Sequence, residues 1–170
     1  MMNTIIRKEE DRDRTNIYEL NKQAFGSVGE ADLINRLRAN ASPIVSLVAE
    51  SDGEVIGHIV FTPVKIDGFP ELNLMGLAPM AVAPKVQKSG VGYALIHAGL
   101  RACRELETGA VVVLGHIDYY PKFGFRPAHQ FNCSCEFDVP KEAFMIQELK
   151  PGYLQDASGI IRYHPEFHHE

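Results

Sequence analysis

The chain has 170 residues, 45% of them apolar and 23% charged, with three cysteines and a net charge of −5. That length suits one domain with a real core, residues 1–170, and is too short for two comfortable ones. The acidic balance argues against a nucleic-acid surface, the odd cysteine count fits reduced thiols, and no apolar run approaches the roughly 20 residues of a membrane span. The opening stretch MMNTIIRKEEDRDR lacks the apolar core of a signal peptide, so the expected compartment is the cytoplasm.

Thr4 to Arg7 reads as a short first strand. Asp11 or Asp13 is placed to cap a helix running to about Phe25, with Ile17, Leu20, Ala24 and Phe25 inward. Gly26 to Gly29 breaks it, and Glu30 to Ala39 gives a second helix with Leu33, Ile34 and Leu37 on one face. Glu30 suits the first turn of that helix simply as an acid at a helix N-terminus. Ser46 to Glu50 and Glu54 to Val64 form a hairpin around Ser51-Asp52-Gly53. Within it, His58 reads as a satisfied sheet residue rather than a catalyst. Asp67 to Asn73 reads as a polar loop.

Leu74 to Val82 is small and apolar, a buried strand interrupted near Pro79 and Pro84, because proline has no N–H to give to a ladder. The turn Gln87-Lys88-Ser89-Gly90-Val91-Gly92 follows. Val91, Leu95, Ile96, Gly99, Leu100 and Cys103 then recur at helical spacing. A glycine turn feeding a helix aims unpaired N–H groups and the positive end of the helix dipole at one place, where anions sit. A Walker loop is excluded because Tyr93 and Ala94 follow the last glycine where Lys and Ser or Thr are needed. A dinucleotide fingerprint would need a small residue where this chain has Leu95.

Ala110 to Leu114 is a second buried strand ended by Gly115, and Tyr120-Pro121-Lys122-Phe123-Gly124-Phe125 comes next. Two more strands are expected at Asn132 to Asp138 and Ala143 to Glu148, before Pro151-Gly152 turns into a polar tail. Cys133 and Cys135 share a strand face but lack a second ligand pair at zinc spacing. His164, His168 and His169 read as a solvated tail, so no metal site is expected.

Taken in order, Gln87-x-x-Gly90-x-Gly92 resembles the Q/R-x-x-G-x-G/A signature of the GCN5-related N-acetyltransferase (GNAT) superfamily, and Tyr120-x-x-x-Gly124-Phe125 resembles its Y-x-x-x-G-F element. The closer resemblance is to the bacterial YhbS-like branch. It rests on VVVLG followed by YYPKFGF, on EAFMIQELKPG at Glu142 to Gly152, and on GEADLINRLR at Gly29 to Arg38.

The resemblance implies an α/β (α+β) fold: a single domain with a mixed, mostly antiparallel twisted sheet of about seven strands, splayed between the fourth and fifth and flanked by about four helices. It implies acceptor-side helices over 11–39, an acetyl-CoA-binding core over 74–125, and C-terminal strands and tail over 126–170. Backbone groups of Met80, Ala81 and Val82 would pair with the pantetheine arm, and the amides from Gln87 through Lys88, Ser89, Gly90, Val91 and Gly92 would take the diphosphate. Lys88 adds a charge there or is simply solvated. Tyr120 would meet the coenzyme sulfur, as proton donor to the thiolate or as a hydrogen bond that orients it.

For the acceptor's proton, Glu30, Glu71 and His116 are candidate bases, and a water route needs none. The implied activity is acetyl transfer to a primary amine of a small molecule or protein; the rival is a non-catalytic acyl-CoA sensor with the same fold. Implied partners are acetyl-CoA and an amine acceptor, with no nucleic acid and no membrane. A homodimer through an exposed sheet edge is also implied. The stretch between the fifth strand and the tyrosine, Gly115-His116-Ile117-Asp118, is shorter than in many members of the superfamily.

Overall fold

The computed structural model describes residues 3–168. Its elements in chain order are β1 (Thr4–Lys8), α1 (Arg14–Phe25), α2 (Gly29–Asn40), β2 (Val45–Ser51), β3 (Glu54–Ile66), β4 (Phe69–Val82), α3 (Val91–Glu105), β5 (Ala110–Leu114), β6 (Arg126–Pro127), β7 (Cys133–Cys135), β8 (Phe144–Glu148) and β9 (Gly159–Arg162). One sheet runs β1-β2-β3-β4-β5-β8-β6, with β9 paired to β3 and to β7. The β4–β5 and β7–β9 pairs are parallel and the others antiparallel.

α3 covers one face of this sheet. Val91, Leu95, Ile96, Gly99, Leu100 and Cys103, the stripe read from helical spacing, are all buried, against Ile59, Phe61, Leu77 and Val113. Apolar side chains of this size contribute about 1.5–3 kcal/mol each when fully buried, so this stripe and its partners form the main core. α1 and α2 cover the other face, where Ile17 and Ile34 meet Val48 and Val60. Asp13 anchors the start of α1 in a way the capping pattern did not foretell. Its carboxylate does not cap α1; it accepts from Arg7 Nη1 at 2.7 Å and from the Glu10 N–H at 2.7 Å, the latter closing a capping box on the 3-10 turn Asp11–Asp13 that precedes the helix. The Arg7 hydrogen bonds hold this carboxyl below the usual carboxylate range.

Four local expectations are corrected. Asp67 to Asn73 is no loop: Asp67 and Gly68 make a tight turn and β4 begins at Phe69, which registers with Ile66. The polar residues there belong to a half-exposed strand. The polar tail holds β9, whose Ile161 is buried together with Tyr163 just beyond it, and His164, the Glu166 carboxylate and His168 all bond to protein; His169 lies outside the described residues. Phe25 is exposed, because the inward stripe of α1 runs through Ile17, Leu20 and Asn21. The strand expected at Asn132 to Asp138 contracts to Cys133–Cys135. The sheet has nine strands, and among the described residues there are three α-helices. The stretch before Gly124 forms only a 3-10 turn, Tyr120–Phe123, with Pro121 in its first turn.

Candidate active site

The sheet opens where β4 and β5 part. They pair only over Leu74–Leu77 and Ala110–Val113. Immediately afterwards the β3–β4 register shifts, so that Ala78 and Pro79 together oppose Val60, a bulge at the residue that cannot donate to a ladder. From there to Val82, β4 keeps β3 on one side and, among the described residues, no strand on the other. The Ala83 N–H donates to the Ile56 carbonyl at 2.8 Å. Antiparallel alternation therefore turns the peptide groups of Ala81 toward β3 and those of Met80 and Val82 toward the gap. Gln87 Nε2 donates to the Val82 carbonyl at 3.3 Å, tying the turn to the strand.

The turn itself is shaped for an anion. Lys88 and Gly90 both have positive φ, 64° and 93°, and the first N–H of α3 bonded within the helix is that of Ala94, to the Gly90 carbonyl. Among the described residues no acceptor meets the amides of residues 88 to 93. Ser89 does not compete for the ligand, since its hydroxyl bonds the Val86 carbonyl. These amides open onto a cavity of about 890 Å³ that Met80, Val82, Gly90, Gly92, His116 and Tyr119 help to line.

A second groove, of about 920 Å³, lies on the opposite face of β4. Alternation sends Met80 and Val82 to the α3 side and Ala83 to the α1 side, where it borders this groove with Leu20, Val28 and Val55. Asn16, Glu19 and Gln23 of α1 supply its polar wall, and Glu54 is held there by Lys85 at 2.7 Å. One strand thus separates two cavities at the place where its backbone is unpaired.

The candidate site residues distribute unevenly around this strand. Tyr120 is buried, with its ring over Gly115: a Cβ there would lie 2.3 Å from the tyrosine Cε2. Tyr120 also meets Phe125 edge to face, with centroids 5.8 Å apart. Burial pushes its phenol up to about 12, with Tyr119 adding to the rise. His116 lines the cavity on the α3 side. Glu30, in the first turn of α2, lines neither cavity, and Glu71 is exposed near the far end of β4.

Two features escaped sequence reasoning. Tyr119 takes a place on the cavity wall, its hydroxyl 3.1 Å from where a Cβ on Gly92 would sit. The only sequence signal was a second tyrosine beside the motif one. The other feature is a buried network under α2. Glu9 accepts from Arg38 Nε at 2.7 Å and from Ser46 Oγ at 2.7 Å, and Ser46 Oγ lies 2.8 Å from His58 Nε2. With Ser46 donating to Glu9, the proton on His58 belongs on Nε2, and Nδ1 is left without a partner. His58 is a sheet residue, as read, but only half satisfied. Burial lowers its pKa, against the opposing pull of Glu9. Burial raises the Glu9 carboxyl, but the hydrogen bonds from His58, Arg38 and Ser46 outweigh this and hold it well below the carboxylate range.

An open sheet with a split between two parallel strands, and an acceptor-free amide turn at the start of the helix that joins them, is the architecture of an acyl-coenzyme-A transferase. The chain belongs to the acetyltransferase (GNAT) family, whose family model matches residues 12–125. It is similar to the N-acetyltransferase YhbS of Escherichia coli K12, 34% identical over 164 residues that cover 96% of this chain and 98% of that protein. The crystal structure of Escherichia coli YhbS in complex with CoA superposes with a TM-score of 0.93 at 32% identity, covering 99% of this chain and 94% of that one. A GNAT acetyltransferase from Brucella melitensis, solved with acetyl-CoA, gives a TM-score of 0.80 at 33% identity, over 97% of this chain and 98% of that one.

Proposed function

We propose that this protein is a cytoplasmic enzyme that transfers the acetyl group of acetyl-CoA to a primary amine of a small molecule or protein by direct attack on the thioester. The observation that carries the reading is the continuity of two open backbone surfaces: the edge of β4 at the Met80 peptide groups and the Val82 N–H, and the open amides of residues 88 to 93. The first suits a pantetheine arm lying like an added strand. The second suits a diphosphate, since hydrogen bonds to charged acceptors contribute about 1.5–3 kcal/mol each. The CoA and acetyl-CoA complexes of the two relatives support the same ligand.

With the thioester along β4, the Val82 N–H polarises its carbonyl oxygen, and the amine approaches from the α1 side through the second groove. Glu19 is the carboxylate of that groove without an ion pair among the described residues. An alkylamine with a pKa near 10.4 arrives protonated at pH 7. Neither Glu30 nor His116 borders this groove, so the proton leaves by water along the groove, past Glu19.

Tyr120 is the general acid to the departing thiolate. A phenol raised to about 12 holds its proton throughout the physiological range. Full transfer from a phenol near 10 to a thiolate near 8.5 is uphill by about 2 kcal/mol in water, and burial of the phenol adds to this, so the proton moves in concert with C–S cleavage, where the buried sulfur is also raised. The test is turnover on an amine panel by the parent and by Tyr120→Phe. The expected result is a fall in kcat of roughly 100-fold or more with CoA affinity retained. Undiminished kcat in the variant would refute the acid role, and a parent that binds CoA but turns over no amine would favour the sensor reading.

A further inference from the structure

The cavity beside α3 has a wall that the turn amides do not explain. Tyr119 is half-buried and clamped by Tyr120 and Phe123, with ring centroids 5.1 and 5.2 Å away. Its phenol pKa is raised by burial, so it is a donor at neutral pH. The hydroxyl lies against Gly92, whose own amide is one of the acceptor-free set, and hydrogen-bonds to none of the described residues. Lys122 Nζ stands 4.3 Å from the centroid of the same ring, and both side chains line the cavity. A diphosphate brings about two negative charges, whereas a helix N-terminus offers about half a positive one. Of the other nearby cations, Lys85 is held by Glu54 on the other face of β4, and Lys88 lines the cavity from the turn, whereas Lys122 reaches it from the wall beside Tyr119.

We propose that Tyr119 Oη and Lys122 Nζ are the side-chain half of the phosphate cradle. The hydroxyl donates to the diphosphate held by the turn amides, and the ammonium, parked over the ring, is its counter-charge. This rests on the acetyl-CoA reading above. The hydroxyl's place at Gly92 assigns the pair to the diphosphate rather than to the 3′-phosphate of the coenzyme.

Calorimetric titration of the full chain with CoA and with dephospho-CoA, which lacks the 3′-phosphate, separates the two phosphates. Tyr119→Phe and Lys122→Gln are each expected to weaken both ligands equally, by about 10-fold or more. Lys122→Arg should restore most of the affinity. Lys122 is exposed, so its variants leave the fold intact, and a thermal melt of each sample checks Tyr119→Phe. Unchanged CoA affinity in both variants overturns the proposal, as does a loss for CoA that dephospho-CoA does not share. A parent that binds neither ligand would instead remove the acetyl-CoA reading itself.

Discussion

Replacing Gly90 by alanine separates backbone conformation from packing. Gly90 sits at φ 93°, and a Cβ placed on it would meet nothing within 4 Å, so the whole cost lies in the left-handed backbone. That cost is about 1–2 kcal/mol. If the loop keeps its shape, the melting temperature should fall by roughly 2–8 °C for a chain of this size, with CoA binding near the parent's. If the loop relaxes instead, stability recovers but amides leave the cradle, and each one lost weakens CoA by roughly 10- to 150-fold. Gly92→Ala supplies the contrast. Its φ is not positive, and alanine in the first turn of α3 favours the helix by up to about 1 kcal/mol. The new methyl would press on the Tyr119 hydroxyl 3.1 Å away. Gly92→Ala should therefore melt no lower than the parent yet bind CoA more weakly. Melting curves and calorimetry on the same samples decide it. A Gly90→Ala protein with unchanged stability and unchanged affinity, or a Gly92→Ala protein binding as tightly as the parent, would refute the assignment of the ligand to these amides.

Two predictions concern the frame around the site. Gly99 faces Phe61, and a Cβ there would come within 2.2 Å of a ring that is fully buried and has nowhere to move; Gly99→Ala should cost roughly 1–3 kcal/mol, read by chemical denaturation, and a neutral result would mean α3 slides freely on β3. For pH, the His58 pKa lies below its ordinary 6.5 because of burial. The unfolded chain therefore takes up the proton first: stability is full above about pH 6.5 and is lost as pH falls through the folded-state value, by at most about 1.4 kcal/mol per pH unit. Melts from pH 7.5 to 5 should show this slope in the parent and not in His58→Gln, whereas Glu9 adds its own loss only below about 4.5. Identical slopes in parent and variant would place the titrating group elsewhere.

What was legible in the sequence was local. The α3 stripe, β5 and the amide turn could be read because periodicity and glycine placement act within about fifteen residues, and the structure reproduces the inward positions of α3 one for one. The gap between β4 and β5 was implied by the family resemblance, with Pro79 or Pro84 as its cause; the bulge falls at Pro79, while Pro84 starts a 3-10 turn beyond β4. What failed was decided by distant partners. Phe69 to Asn73 looks like a loop until β3 is known to run beside it, and Gly159–Arg162 looks like tail until Lys65 and Ile66 offer an edge. Asn21 is buried because its Nδ2 donates to the Ile17 carbonyl at 2.9 Å, a local bond that amide polarity alone would not suggest. At the site, motif spacing singled out Tyr120. The residue over Gly92 is nonetheless Tyr119, since the direction of a side chain in a short turn follows from packing against Phe123 rather than from any period.

The bonds of the Glu166 carboxylate, beyond β9, bear on how the molecule comes into being. β4, α3, β5 and the turn that carries Tyr119 and Lys122 are consecutive, so the coenzyme half is assembled from residues 69 to 122. α2 depends instead on a partner far along the chain: Arg36 and Asn40 grip the Glu166 carboxylate, at 3.0 and 2.7 Å, across separations of 130 and 126 residues. During synthesis that grip cannot form until the chain has emerged past Glu166. Contacts this far apart in sequence form late because the loop must close before they repay it. The nascent chain thus passes through a stage in which the coenzyme half already has all its residues while α2 still lacks its clasp.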